Sequence, residues 1–352
     1  MKVISTFSGA GGSSLGLKQA GFQIPVALEF VESAAESYRL NGGGTLVLGD
    51  DIRDVDPVAL MDAAGVKVGE LDVFEGSPPC DSFSMAGNRE KAWGVTKNYY
   101  EGKKQRVDDL VFVFLGLAEK IKPRAILMEN VEGLARGKAR LYLDAAVRQI
   151  KAMGYSRVDA RIYDGADYGL PQRRRRLVLV ALRDDVAGEY VVPEVTHPRG
   201  SQVSIRQALV GVPEATGQEI AKTLTPGTKG LDMWNRTKPG DGFDVAYKKL
   251  FGKPTMFNQK RCDGAKVSFT IAKVPCVHHY AEPRLFHIPE LRRLAGFPDD
   301  FKFVGSHAQR WGRIGMSVAP PMYRAIGGRL MEALGANPYP TEAANADTVD
   351  TV

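Results

Sequence analysis

Short apolar runs alternate with helical stretches through the first 183 residues of this 352-residue chain, and that alternation constrains its fold more than any other feature. Val3–Phe7, Pro25–Phe30, Leu71–Glu75, Ala125–Glu129, Arg157–Tyr163 and Leu177–Leu182 read as strands. A glycine loop and a helix to about Ala20 follow the first, and a helix through about Leu40 follows the second. Asp108–Ile121 and Ala139–Met153 supply two more helices. Strands separated by helices imply an α/β fold, a mostly parallel sheet with helices on both faces. Ligands of such sheets bind beyond the carboxyl ends of the strands. Two chemically loaded segments end there, Gly76-Ser77-Pro78-Pro79-Cys80 and Glu129-Asn130-Val131.

The pattern changes after about Arg183. As far as Pro283 the chain is rich in Gly, Pro, Thr and Lys, with short β-like pieces such as Lys266–Val274 and no long helix. Helical character returns at Pro289–Ala295 and from Pro320 to about Leu334, the latter opening on Pro-Pro as first turns allow. The expected division is a catalytic domain at 1–183, a smaller recognition domain at 184–283, a return to the first domain at 284–335, and a polar tail at 336–352.

Charge points toward a polyanion. Net charge is +6, and the window Ala246–Lys273 alone holds seven Lys or Arg against one acid. Such a local excess suits a nucleic-acid face, although a solvated surface accounts for it equally well. Three cysteines, Cys80, Cys262 and Cys276, are spaced for neither a disulfide framework nor zinc. No apolar run approaches a membrane span and no secretory signal opens the chain, so a cytoplasmic location is expected.

Individual residues suggest the chemistry. Gly9, Gly11 and Gly12 follow the first strand, and the spacing Gly-x-Gly-Gly-x-x-x-Gly matches neither a Walker loop nor the dinucleotide fingerprint. Glu29 closes the second strand, where a carboxylate can accept both hydroxyls of a ribose, and Phe30 can stack on an adenine. That combination favours S-adenosylmethionine. Cys80 is a candidate nucleophile, its approach stiffened by two prolines; a free thiol is only a few per cent thiolate at neutral pH. Glu129 ends a buried strand, where a carboxylic acid with its pKa raised by desolvation can protonate a ring nitrogen. Arg173 to Arg176 lead into a further strand, so alternate members must face opposite ways. His278-His279 has no partner at ligand spacing, and no metal is expected.

Taken together, Phe7-Ser8-Gly9-Ala10-Gly11-Gly12, the cysteine segment and Glu-Asn-Val make the chain resemble the cytosine-5 DNA methyltransferases. The distal Arg292-Arg293-Leu294-Ala295-Gly296-Phe297-Pro298 and Gly315-Met316-Ser317-Val318 extend the resemblance, in the family's order, over 3–183 and about 284–334. It implies a Rossmann-like S-adenosylmethionine-dependent methyltransferase fold with a smaller target-recognition domain. The cofactor would be held by Phe7, Gly9, Gly11, Gly12, Glu29, Phe30, Asp51, Ile52, Pro79, Leu110, Met316, Ser317 and Val318. Cys80 and Glu129 would act on a cytosine flipped out of double-stranded DNA, with Arg176 near the base and Arg174 supporting the acid and the DNA. Ser84 to Lys104 would form a loop closing over substrate. A monomer, prokaryotic or phage-encoded and nucleoid-associated when on DNA, is the expected state.

Two residues depart from the family pattern: Asp81 stands where Gln is usual, and Met316 where Asn is usual. They keep open an altered donor or an already modified cytosine. Methylation of tRNA is a further reading, and a DNA-binding regulator with a vestigial catalytic fold is another.

Overall fold

The computed structural model of the chain describes residues 1–79, 97–98, 104–105, 109–255 and 258–336. Cys80, Asp81 and most of the expected closing loop lie outside the described residues. Two compact units emerge: Met1–Tyr163 with Arg175–Glu194 and the chain from Tyr323 onward, and Asp164–Arg174 with Val195–Met322.

The first unit is built on seven strands: β1 (Lys2–Thr6), β2 (Gln23–Leu28), β3 (Leu46–Leu48), β4 (Val73–Gly76), β7 (Ala125–Val131), β8 (Arg157–Asp164) and β9 (Arg175–Leu182). Two-residue strands β5 (Lys97–Asn98) and β6 (Lys104–Gln105) pair separately. The sheet order is β3-β2-β1-β4-β7-β9-β8, with β3 to β7 joined in parallel and β9 antiparallel to β7. The mostly parallel α/β sheet is the fold that the sequence implied; the reversal of β9 is added by the structure.

Helices α1 (Gly12–Gln19), α2 (Glu32–Asn41), α3 (Pro57–Ala64), α4 (Leu110–Ile121) and α5 (Arg140–Ala152) fill the crossovers. Local chemistry sets α3: the Asp56 carboxylate accepts from the Val58 N–H at 3.0 Å, Pro57 occupies the first turn, and Gly65 ends the helix at φ +61°. Apolar residues facing one way from the sheet, including Ile4, Phe74, Ile126, Met128 and Leu179, form one core with Leu60, Phe114, Leu115 and Ile150. Phe74 stacks on Phe114 with ring centres 4.8 Å apart. This core fixes the register: a one-residue slip would expose the whole apolar row.

The second unit carries α6 (Ile205–Ala208), α7 (Lys229–Arg236), α8 (Phe243–Phe251), α9 (Ile288–Leu294) and α10 (His307–Met316), with parallel strands β10 (Lys260–Arg261) and β11 (Val277–His278). Helix α11 (Pro320–Ala333) runs from this unit into the first. Lys266–Val274 is not a strand. Ser268 there makes an isolated bridge with Gln172, its N–H bonding to the Pro171 carbonyl at 2.9 Å and its carbonyl accepting from Arg173 N–H at 2.9 Å. Among the described residues no helix is long and apolar enough to cross a membrane.

Candidate active site

The β1–α1 turn is shaped by backbone conformations that only a few residues tolerate. Phe7, Gly9 and Gly11 have φ of +52°, +56° and +95°. Among the described residues a side chain at Gly9 would meet nothing within 4 Å, whereas one at Gly11 would lie 3.0 Å from the Tyr38 ring. The loop thus packs on one side and is open on the other. Glu29 braces it: one carboxylate oxygen accepts from the Gly9 N–H at 2.7 Å and the other from the Val31 N–H at 2.8 Å. An open backbone cradle beside a fixed carboxylate fits a ribose-bearing cofactor.

Ile52 and Leu110 are buried in the main core and Phe7 packs against it, so three residues expected around an adenine share one cluster. Phe30 is half-buried. Asp51 is held by Arg53, whose N–H reaches it at 3.1 Å and whose guanidinium also pairs with Asp109 at 2.6 Å. Arg53 therefore bolts the Gly-Asp-Asp-Ile segment to the start of α4, a role its sequence context does not advertise.

The two segments at the strand ends are physically joined. Asn130 donates from Nδ2 to the Pro78 carbonyl at 3.0 Å, and its Oδ1 accepts from the Val131 N–H at 2.9 Å. Pro79 is half-buried and leads to Cys80, which lies outside the described residues. Gly76 is forced by packing: it pairs with Thr6 across β1–β4, and a side chain there would strike Thr6 Oγ1 and approach Phe114 to 2.7 Å.

Glu129 is 8% exposed and forms an ion pair with Arg176 Nε at 3.0 Å. The adjoining Arg175 turns away to Glu132 at 3.1 Å, the alternation expected of a strand. Arg173 and Arg174 precede β9 and belong to the second unit. There Arg174 is buried and donates to the carbonyls of Ile271 (3.2 Å), Gly315 (3.0 Å) and Ser317 (2.6 Å). The bonds drawn by Arg174 thus clamp the Gly315–Ser317 turn, while those of Arg176 reach the acid. Ser317 Oγ bonds to the Arg313 carbonyl at 2.7 Å, Val318 is buried, and Met316 is 38% exposed.

In the second unit, much of the basic window is structural. Arg261 lies 3.7 Å from the Trp234 ring centre and donates to the carbonyls of Tyr280, Trp234 and Thr237. Lys266 pairs with Asp263 at 3.3 Å. Lys248, Lys249 and Lys253 are exposed. His278 stacks on Phe243 and bonds to Gln259 at 2.8 Å, and His279 packs edge-on against Phe286.

A family model described as C-5 cytosine-specific DNA methylase matches residues 1–332. Type II methyltransferase M.NgoFVII of Neisseria gonorrhoeae is 30% identical over 334 residues, covering 91% of this chain and 83% of that protein. Type II methyltransferase M.XorII of Xanthomonas oryzae is 28% identical over 95% of this chain and 85% of its own length. Among solved structures, a putative DNA modification methyltransferase encoded within an Escherichia coli prophage superposes with a TM-score of 0.69 at 22% identity, covering 95% of this chain and 99% of that one.

Proposed function

From the premise that this chain belongs to the C-5 cytosine-specific DNA methylase family, we propose that it methylates carbon 5 of a cytosine flipped out of double-stranded DNA, through a covalent Cys80 adduct. The observation that carries this reading is the pairing of Asn130 with Pro78 beside Glu129. It ties the strand end bearing the acid to the loop leading into the cysteine.

Cytosine is a poor electrophile until its ring nitrogen 3 is protonated or strongly hydrogen-bonded. Glu129 holds that nitrogen, and Arg176 fixes the carboxyl in place. The Cys80 thiolate then adds to carbon 6, and the ring's electron density moves to carbon 5. S-adenosylmethionine, when bound, supplies the electrophilic methyl group for that carbon. Loss of the carbon-5 proton and expulsion of the Cys80 thiolate restore the aromatic ring. Flipping costs a few kcal/mol, because the stacked duplex covers both ring faces.

Gly9, Gly11 and Gly12 would hold the cofactor along the open side of their loop. Glu29 would accept its ribose hydroxyls, with Phe7, Phe30, Asp51, Ile52 and Leu110 around the adenine and Pro79 near the methyl donor. Residues 184–283 would read the DNA. Incubating the protein with S-adenosylmethionine and unmodified double-stranded DNA, followed by bisulfite sequencing, tests the reaction and maps its site. Carbon-5 methylation that disappears in Cys80→Ala is expected; methylation of an exocyclic nitrogen, or of RNA alone, would refute the reading.

A further inference from the structure

One fully buried acid has no part in that reaction scheme. Glu75 lies in β4 directly before Gly76, with none of its surface exposed. Parallel pairing sets it opposite Ser5 on β1 and Leu127 on β7. Side chains alternate faces with a period of two, so Glu75 and Ser5 share a face with Glu129, two residues beyond Leu127. Arg176, opposite Val131 across β7–β9, continues the same face. A diagonal of polar side chains therefore crosses this side of the sheet from Ser5 through Glu75 and Glu129 to Arg176.

The contacts along it are specific. Ser5 Oγ donates to Glu75 Oε2 at 2.6 Å and also meets Ser8 Oγ, in the glycine loop, at 2.9 Å. Ser13 from α1 also faces the Glu75 carboxyl. The titratable groups directed at it are Glu129 from β7, Tyr38 from α2 and Tyr323 from α11. The guanidinium on the diagonal, Arg176, is committed to Glu129. Burial, offset by the two serine hydroxyls and reinforced by Glu129, pushes the Glu75 carboxyl up to about 8. Among the described residues no cation pairs with Glu75; such a buried acid costs stability, and such groups concentrate where a reaction needs them.

We infer that Glu75 is a positioning residue for methyl transfer: as a neutral carboxylic acid it ties Ser5 and Ser13, which flank the glycine loop, to the strand pair carrying Glu129, and leaves Arg176 to that acid. This rests on Glu129 serving the proposed reaction. Ionised, Glu75 would repel the Glu129 carboxylate and compete for Arg176. Its neutral form is the competent one.

Glu75→Gln keeps the shape and cannot ionise, so its rate divided by that of wild type cancels every shared pH effect, including ionisation of Cys80. In single-turnover methyl transfer, wild type should fall about tenfold relative to the variant between about pH 7 and about pH 9. A ratio constant over that range, which a merely structural glutamate would give, overturns the inference. Should Glu75→Gln fail to fold, infrared spectroscopy of wild type decides: a buried carboxylic-acid carbonyl band present near pH 6 and lost by about pH 9 supports it, and absence of the band near pH 6 sinks it. Glu129→Ala separates the two levels. Near-normal transfer by that variant refutes the proposed role of Glu129, and the inference with it; lost transfer with parallel pH profiles refutes the role of Glu75 alone.

Discussion

The Asn130 amide donates a 3.0 Å hydrogen bond to the carbonyl of Pro78, so the residue after the candidate acid holds the chain two positions before the candidate nucleophile. Neither partner does chemistry, yet their bond sets where the chemistry can happen. Asn130→Ala would leave the Pro78 carbonyl without its donor, at a cost of about 1–3 kcal/mol. Methyl transfer in a single turnover should fall at least about tenfold while calorimetric binding of S-adenosylmethionine stays within about twofold. Equal losses in both would show that Asn130 supports the sheet in general and not the loop.

Arg176 and Glu129 form the ion pair nearest the proposed ring chemistry. Removing the cation leaves a largely buried carboxylate without its partner, a change typically worth about 3–5 kcal/mol. Arg176→Ala should therefore reduce transfer on the order of a hundredfold, and Arg176→Lys, which keeps charge but not the planar guanidinium, should recover part of it. Gel detection of covalent adducts with DNA carrying 5-fluorocytosine reads out the same step, because fluorine cannot leave carbon 5 as a proton does. Unchanged adduct yield in Arg176→Ala would remove this arginine from the mechanism.

The basic window separates into scaffold and surface. Arg261, stacked on Trp234 and bonded to three carbonyl groups, should behave as scaffold: Arg261→Gln lowers the melting temperature of the second unit. Lys248, Lys249 and Lys253 are exposed, and changing all three to Gln should leave melting nearly unaltered. If each meets a phosphate, the plot of log affinity against log salt should flatten by about 0.9 per contact. An identical slope in the triple variant would assign them to solvent.

Glu75 in the first unit and the histidine pair in the second titrate in opposite senses. Glu75 has a native value near 8 against an ordinary 4.5, so the native state holds a proton that the unfolded chain has lost. Its contribution to stability therefore declines as pH rises between about 4.5 and 8. His278 and His279 are pushed down to about 4 by burial, from 6.5. Here the unfolded chain binds more protons, so their contribution is present above about 6.5 and lost as pH falls toward 4. Melting curves across pH should show Glu75→Gln flattening the decline as pH rises from about 4.5 to 8, and His278→Gln with His279→Gln flattening the decline as pH falls from about 6.5 to 4. A decline in Glu75→Gln as steep as in wild type would mean that another group causes it.

β1, β4, β7 and β9 are legible in the sequence because each is mainly an apolar run buried on both faces; Ala125–Glu129 and Leu177–Leu182 fall within a few residues of β7 and β9. β3 is only three residues long, and α10 interrupts its apolar face with Gly312 and Gly315, so neither rose above its surroundings. Lys266–Val274 alternated like a strand but spends its backbone bonds on the 171–173 turn instead of a ladder. At the site, Glu29, Glu129 and the glycine loop could be read because their types and spacing carry the chemistry. Asn130, Arg53 and Glu75 act through partners 52, 56 and 70 positions away, and those distances in sequence exist only once the sheet has formed.

Helix α11 enters the first unit only at Tyr323, after the chain has left it at Glu194 and traversed the second unit. On α11, Gly327 is matched to Ala20 and Leu17 of α1, where an added side-chain carbon would lie 3.0 Å from either. The helix that packs on the end of α1 is thus synthesised about 300 residues after it. A nascent chain halted inside the second unit holds the cysteine, the acid and the glycine loop but lacks the helix that packs on the end of α1. Chains cut before Tyr323 should accordingly lack methyl transfer although they carry every proposed catalytic residue.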